Sequence, residues 1–78
     1  MYSSRHAKLE IIQSSIEQIT SQLRDLVDTE QERYDSRSER WQESEKGEQM
    51  QDALDRLEEA VDALTDASAN IDDALEVM

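Results

Sequence analysis

The sequence predicts an all-α chain folded as an antiparallel two-helix hairpin, coiled-coil-like and with an alanine-rich seam, and three observations carry that prediction. From Met50 to Met78 the large apolar residues Met50, Leu54, Leu57, Val61, Leu64, Ile71, Leu75 and Met78 recur at alternating steps of four and three, interrupted only at Ser68. This is the repeat of an amphipathic helix, not the period of two of a strand. Ala53, Ala60, Ala67 and Ala74 form a second row at every seventh residue, a small-residue shoulder that lets another helix approach closely. An earlier stretch repeats the apolar spacing, and the segment between the two is nearly free of large apolar residues.

The first helix is expected over about residues 4–36, with Ser3 or Ser4 available as its N-cap. Its seam is Leu9, Ile12, Ile16, Ile19, Leu23 and Leu26, in strict alternation of three and four. Val27 widens the stripe and Tyr34 follows seven residues on. The shift of phase between Leu23 and Val27 reads as a four-residue stutter, which locally unwinds a left-handed supercoil. Arg24 with Asp28 and Asp28 with Glu32, at i, i+4, mark a solvated face.

The connection is placed at about residues 37–44, where Trp41 stands among Ser36, Ser38, Ser44 and charged residues, with the sole Gly47 just beyond. The second helix is expected over about residues 45–77. Ser44 is its natural N-cap, because Glu45 and Glu48 then sit in the first turn against the positive end of the helix dipole. One continuous helix competes with the hairpin, since proline is absent and a single glycine costs only about 1 kcal/mol in a helix. Phase argues for the hairpin. The first seam continued through Tyr34 and Trp41 would run onto Glu45, Glu48 and Asp52, whereas the second runs through Met50 and Leu54.

Folding back at the connection predicts a register in which facing residue numbers sum to about 84. Tyr34 then faces Met50, Leu23 faces Val61, Ile16 faces Ser68, and Glu30 falls opposite Leu54, where its carboxylate has to snorkel or meet a base such as Arg33 or Arg56. A pair of helices leaves half of each stripe uncovered, so a homodimer in the form of a four-helix bundle is expected. Its self-association surface is predicted at Leu54, Leu57, Val61, Leu64, Ile71 and Leu75.

Charge narrows the function. Twenty acids oppose eight bases, and past Arg56 there is no base at all. Such a surface repels nucleic acid and anionic membranes, so direct binding to either is not expected, and a basic protein partner is. There is no cysteine, a single histidine, no Gly-rich phosphate loop and no nucleophile paired with a base, so neither an enzyme, a metal site nor a cofactor is expected. No signal peptide or membrane span is readable, which makes the cytoplasm the expected compartment.

The candidate partner-binding residues are Asp55, Glu59, Asp62, Asp66 and Asp73, on the face away from the seam at mostly three- and four-residue steps. Neighbouring carboxylates on such a row stand roughly 5 to 6 Å apart, near the spacing of successive phosphates. Trp41 and Tyr34 join them as a plug over the hairpin's end or as an anchor facing the partner.

Gln31-Glu32-Arg33-Tyr34-Asp35 and then Ser38-Glu39-Arg40-Trp41-Gln42-Glu43-Ser44-Glu45-Lys46-Gly47-Glu48, with the acidic alanine-rich seam after them, resemble short acidic proteins carried by phages and prophages, in which a similar Q-E-S-E-x-G-E stretch joins two predicted helices. The resemblance spans roughly residues 28 to 76. It implies a phage context in the host cytoplasm, where small acidic proteins include inhibitors of restriction and CRISPR enzymes, some of them DNA mimics. The expected function is inhibition of a host nucleic-acid-binding enzyme or regulator, or a defence protein, by DNA-mimic-like occlusion. The alternative is a structural self-associating coiled-coil module, or a small helical-hairpin subunit or chaperone of a secretion system.

Overall fold

The computed structural model describes residues 4–78, which form α1 (Ser4–Asp35), the single turn α2 (Glu39–Gln42) and α3 (Glu45–Val77). The two long helices pack on one another as a helical hairpin measuring 61 × 15 × 13 Å. Gln13 Nε2 donates to the Ser68 carbonyl at 3.1 Å and the Ser68 hydroxyl lies 3.5 Å from the Glu17 carboxylate, while Tyr34 and Met50 line one groove near the other end. These pairings keep close to the expected register. Ser3, a candidate cap, lies outside the described residues, and Ser4 is already the first residue of α1. Among the described residues no helix is long and apolar enough to cross a membrane.

Burial fixes which face of each helix meets the other. On α1 the covered or half-covered residues are His6, Leu9, Gln13, Ile16, Thr20, Leu23, Val27, Glu30 and Tyr34, with Gln31 beside them. On α3 the corresponding row is Gly47, Met50, Leu54, Leu57, Val61, Leu64, Ser68, Ile71 and Leu75. In heptad terms, His6, Gln13, Thr20, Val27 and Tyr34 take position a on α1, and Gly47, Leu54, Val61, Ser68 and Leu75 take it on α3.

This corrects the expected seam of α1. The row facing α3 runs without a stutter, and Ile12, Ile19 and Leu26 fall at position g, where they are 51, 54 and 52% exposed. Turning them inward would turn Val27 and Tyr34 out. The polar residues taken in instead have partners: the Thr20 hydroxyl donates to the Ile16 carbonyl at 2.6 Å, and Gln13 donates to both the Ser68 carbonyl and the Asp72 carboxylate. Burying a hydrogen-bonded polar group costs little, so the packing of Val27, which is 5% exposed, decides the rotation. Ser68, expected to face Ile16, accepts from Gln13 through its carbonyl and donates its hydroxyl to Glu17 across the helix pair.

Leu54 and Val61, expected at a self-association surface, are 1 and 8% exposed within one chain and so belong to the hairpin's own interior. Leu57, Leu64, Ile71 and Leu75 are half-buried on the same row. Glu30, level with Leu54, lies 3.7 Å from the Arg33 guanidinium, which places its charge outside the seam.

The connection is more ordered than a loop. Ser38 caps α2, its hydroxyl accepting from Trp41 N at 3.2 Å, and Ser44 caps α3 by accepting from Gly47 N at 3.2 Å. Gln42 Nε2 donates to the carbonyls of Tyr34 at 3.0 Å and Arg37 at 3.1 Å, supplying donors to the end of α1. Gly47 lies inside α3, within the bounds expected for the second helix, and is buried beneath the backbone of Trp41 and Gln42. Each residue of the Gln42–Glu48 motif that departs from an ordinary helix therefore has a structural job. Ser44→Ala is expected to destabilise the chain by about 1 kcal/mol, the usual cost of an N-cap; chemical denaturation followed by circular dichroism measures it, and no change would mean that Glu45 and Glu48 suffice.

Candidate partner-binding face

Asp55, Glu59, Asp62, Asp66 and Asp73 all lie on α3 and are all exposed. They occupy heptad positions b and f, on the side of the helix turned away from α1, because a and d are taken by the seam. Asp55 accepts from Gln51 Nε2 at 2.9 Å, a bond that steadies its carboxylate and leaves it facing solvent. Asp52, Asp55, Arg56 and Glu59 line one shallow depression, so the lone base of this stretch stands among three acids. A second groove, between the helices, is lined by Glu58, Asp62, Asp28 and Arg24 over Val27 and Val61. Arg24 shares that groove with Asp28, yet no ion pair within 4.0 Å joins them.

The charges are ordered by heptad position. Every acid of α1 and α3 falls at b, e or f, with Glu30 at d the one departure, and none falls at c or g. Five of the eight bases do: Arg5, Lys8, Arg33, Lys46 and Arg56. The hairpin thus has an acidic side and an acid-free side. This segregation was available in the sequence, but only once the rotation of α1 was known, since the expected seam would have assigned its letters differently.

Trp41 and Tyr34 are half-buried at the connection, their rings edge to face with centroids 6.0 Å apart and planes at 66°. The Arg37 guanidinium lies 4.0 Å over the Trp41 ring, a cation–π contact worth about 0.5–1 kcal/mol at an exposed site. Together with Glu30, Arg33, Arg37 and Met50 they line one groove at the hairpin's end. The structure does not bring them together with the carboxylates, which start at Asp55 and run towards the other end of the rod.

Among the described residues no three His, Asp or Glu side chains are grouped so as to hold a metal ion. His6 Nδ1 lies 3.1 Å from the Glu10 carboxylate on α1. What the face offers is exposed charge in helical order along a rod 61 Å long. No family model, curated protein or solved structure matches the chain.

Proposed function

We propose that the chain is a non-enzymatic, acidic protein-binding protein that works as a homodimer and occludes a basic nucleic-acid-binding surface on another protein. The observation that carries this is charge along a rod: a net charge of −12 over 61 Å is one negative charge per about 5 Å, against about 3.4 Å per phosphate in a single DNA strand. All eleven acids of α3 are exposed, so none is spent inside the fold. A groove built to neutralise phosphates meets here a linear charge of the same sign and lower density, presented by short side chains on a helix. The resemblance of the connection to phage proteins sets the context of the reading, a host enzyme or regulator of nucleic acid, or a defence protein, in the cytoplasm.

Such binding is driven by charge, so it weakens steeply with ionic strength and yields to competing duplex DNA. Tagged protein incubated with host lysate at low salt is expected to retain a basic protein that elutes with salt or with short duplex DNA. Asp55→Asn, Asp62→Asn and Asp66→Asn together are expected to weaken that complex about tenfold or more, leaving helicity intact. A partner held equally well at high salt, or by the triple variant, would move the reading to a structural coiled-coil module whose acids only keep it soluble.

A further inference from the structure

The acid-free side of the hairpin is its least expected feature. On a chain of net charge −12, positions c and g of both helices carry no carboxylate, while position f of α3, which adjoins c on the helix, carries one at every repeat: Glu45, Asp52, Glu59, Asp66 and Asp73. In an antiparallel pair the two g rows lie on the same flank. That flank therefore joins a ridge of Ile12, Ile19 and Leu26 on α1, each about half exposed, to a shallow row of Ala60, Ala67 and Ala74 on α3. Among the described residues the buried apolar ones are few, namely Val27, Leu54 and Val61, so a further apolar contact would add to the stability of so small a fold.

We infer that this flank is where a second copy of the chain docks, two hairpins packing about a two-fold axis parallel to their helices, with all connections at one end. The inference deepens the homodimer named above and rests on it. In this arrangement α1 lies over the partner's α3 at the same level, so Ile12, Ile19 and Leu26 descend onto the partner's Ala74, Ala67 and Ala60, large on small, and reciprocally. An isologous contact must be self-complementary in this way. The rim charges agree: by the same register Arg33 comes level with the partner's Asp52, and Arg56 within a turn of the partner's Glu32. The other two-fold arrangement sets α1 on α1. It puts ridge on ridge, alanine on alanine, and Arg5 and Lys8 near the partner's Arg33. In the arrangement inferred, each helix is antiparallel to its neighbours and the acidic f, b and e rows all face outward.

The test is the mass of the full chain by sedimentation equilibrium across the micromolar range. A dimer is expected, with Ile19→Asp raising its dissociation constant a hundredfold or more while circular dichroism keeps the parent helicity, and Asp62→Asn on the opposite face leaving it unchanged. Orientation is read by mixing an Ile19→Cys chain with an Ala67→Cys chain under mild oxidation, since the native chain has no cysteine. A disulfide between the two different chains supports the inference; one joining Ile19→Cys chains to each other overturns it. A single-chain mass at every concentration, or a dimer indifferent to Ile19→Asp, also overturns it. Either result leaves the salt-sensitive partner complex to be judged separately, and a dimer that persists without any such complex counts against the occlusion reading alone.

Discussion

Gly47→Ala is expected to lower the stability of the hairpin by about 2 kcal/mol, although in an isolated helix the same change is stabilising by about 1 kcal/mol. The backbone at this position is ordinary α-helix, so alanine meets no torsional objection. The objection is steric: a Cβ there would run into the carbonyl oxygens of Trp41 and Gln42 and come within 2.6 Å of the Gln42 carbonyl carbon. Those are main-chain atoms held by hydrogen bonds, and they cannot swing aside as a flexible side chain does. Relief requires α2 to lift off α3. That movement strains the Ser44 cap and the bonds that Gln42 donates to Tyr34 and Arg37. The urea midpoint of the variant, with the slope held equal to the parent's, measures the loss, and a rise in midpoint would show that the connection yields freely and that propensity alone governs the site.

This position also shows where the sequence was legible and where it was not. The α3 seam reads directly because its heptad is apolar almost throughout, and Ser44 reads as a cap because carboxylates follow it in the first turn. Gly47 is conspicuous in the sequence but reads there only as a glycine tolerated in the first turn of the second helix. Its real cause, the passage of another stretch of backbone across it, is a tertiary fact with no local trace. The same holds for α1. Its sequence offers two overlapping stripes that share Leu9, Ile16 and Leu23, one completed by Ile12, Ile19 and Leu26 and the other by Gln13, Thr20, Val27 and Tyr34. Hydrophobicity alone favours the first. The structure takes the second, because Thr20 and Gln13 find hydrogen-bond partners and Val27 and Tyr34 supply the packing near the connection. The acidic rows of α3 were readable because their placement depends only on the well-defined seam opposite them. The acid-free flank was not, because half of it belongs to the helix whose rotation the sequence misassigns.

That rotation sets the second large expected effect, a contrast between two leucines of equal size. Leu54→Ala removes atoms from the most completely buried side chain of the hairpin, 1% exposed, and is expected to cost about 2–5 kcal/mol. A domain of this length commonly has only about 0.05–0.15 kcal/mol per residue in total, so this one change would consume much of the stability. Leu26→Ala removes the same atoms from a residue 52% exposed, and within a single chain it is expected to cost less than about 1 kcal/mol. Thermal melts over a range of protein concentrations separate the two causes. The Leu54→Ala deficit arises inside one chain and should persist at every concentration. The Leu26→Ala deficit should be small in dilute solution and grow as association sets in, because the apolar area it loses is then covered by a second copy. Equal deficits that ignore concentration would mean that α1 turns Leu26 inward after all, as its hydrophobic repeat suggests; the rotation seen in the structure, and the flank that follows from it, would then both have to be abandoned.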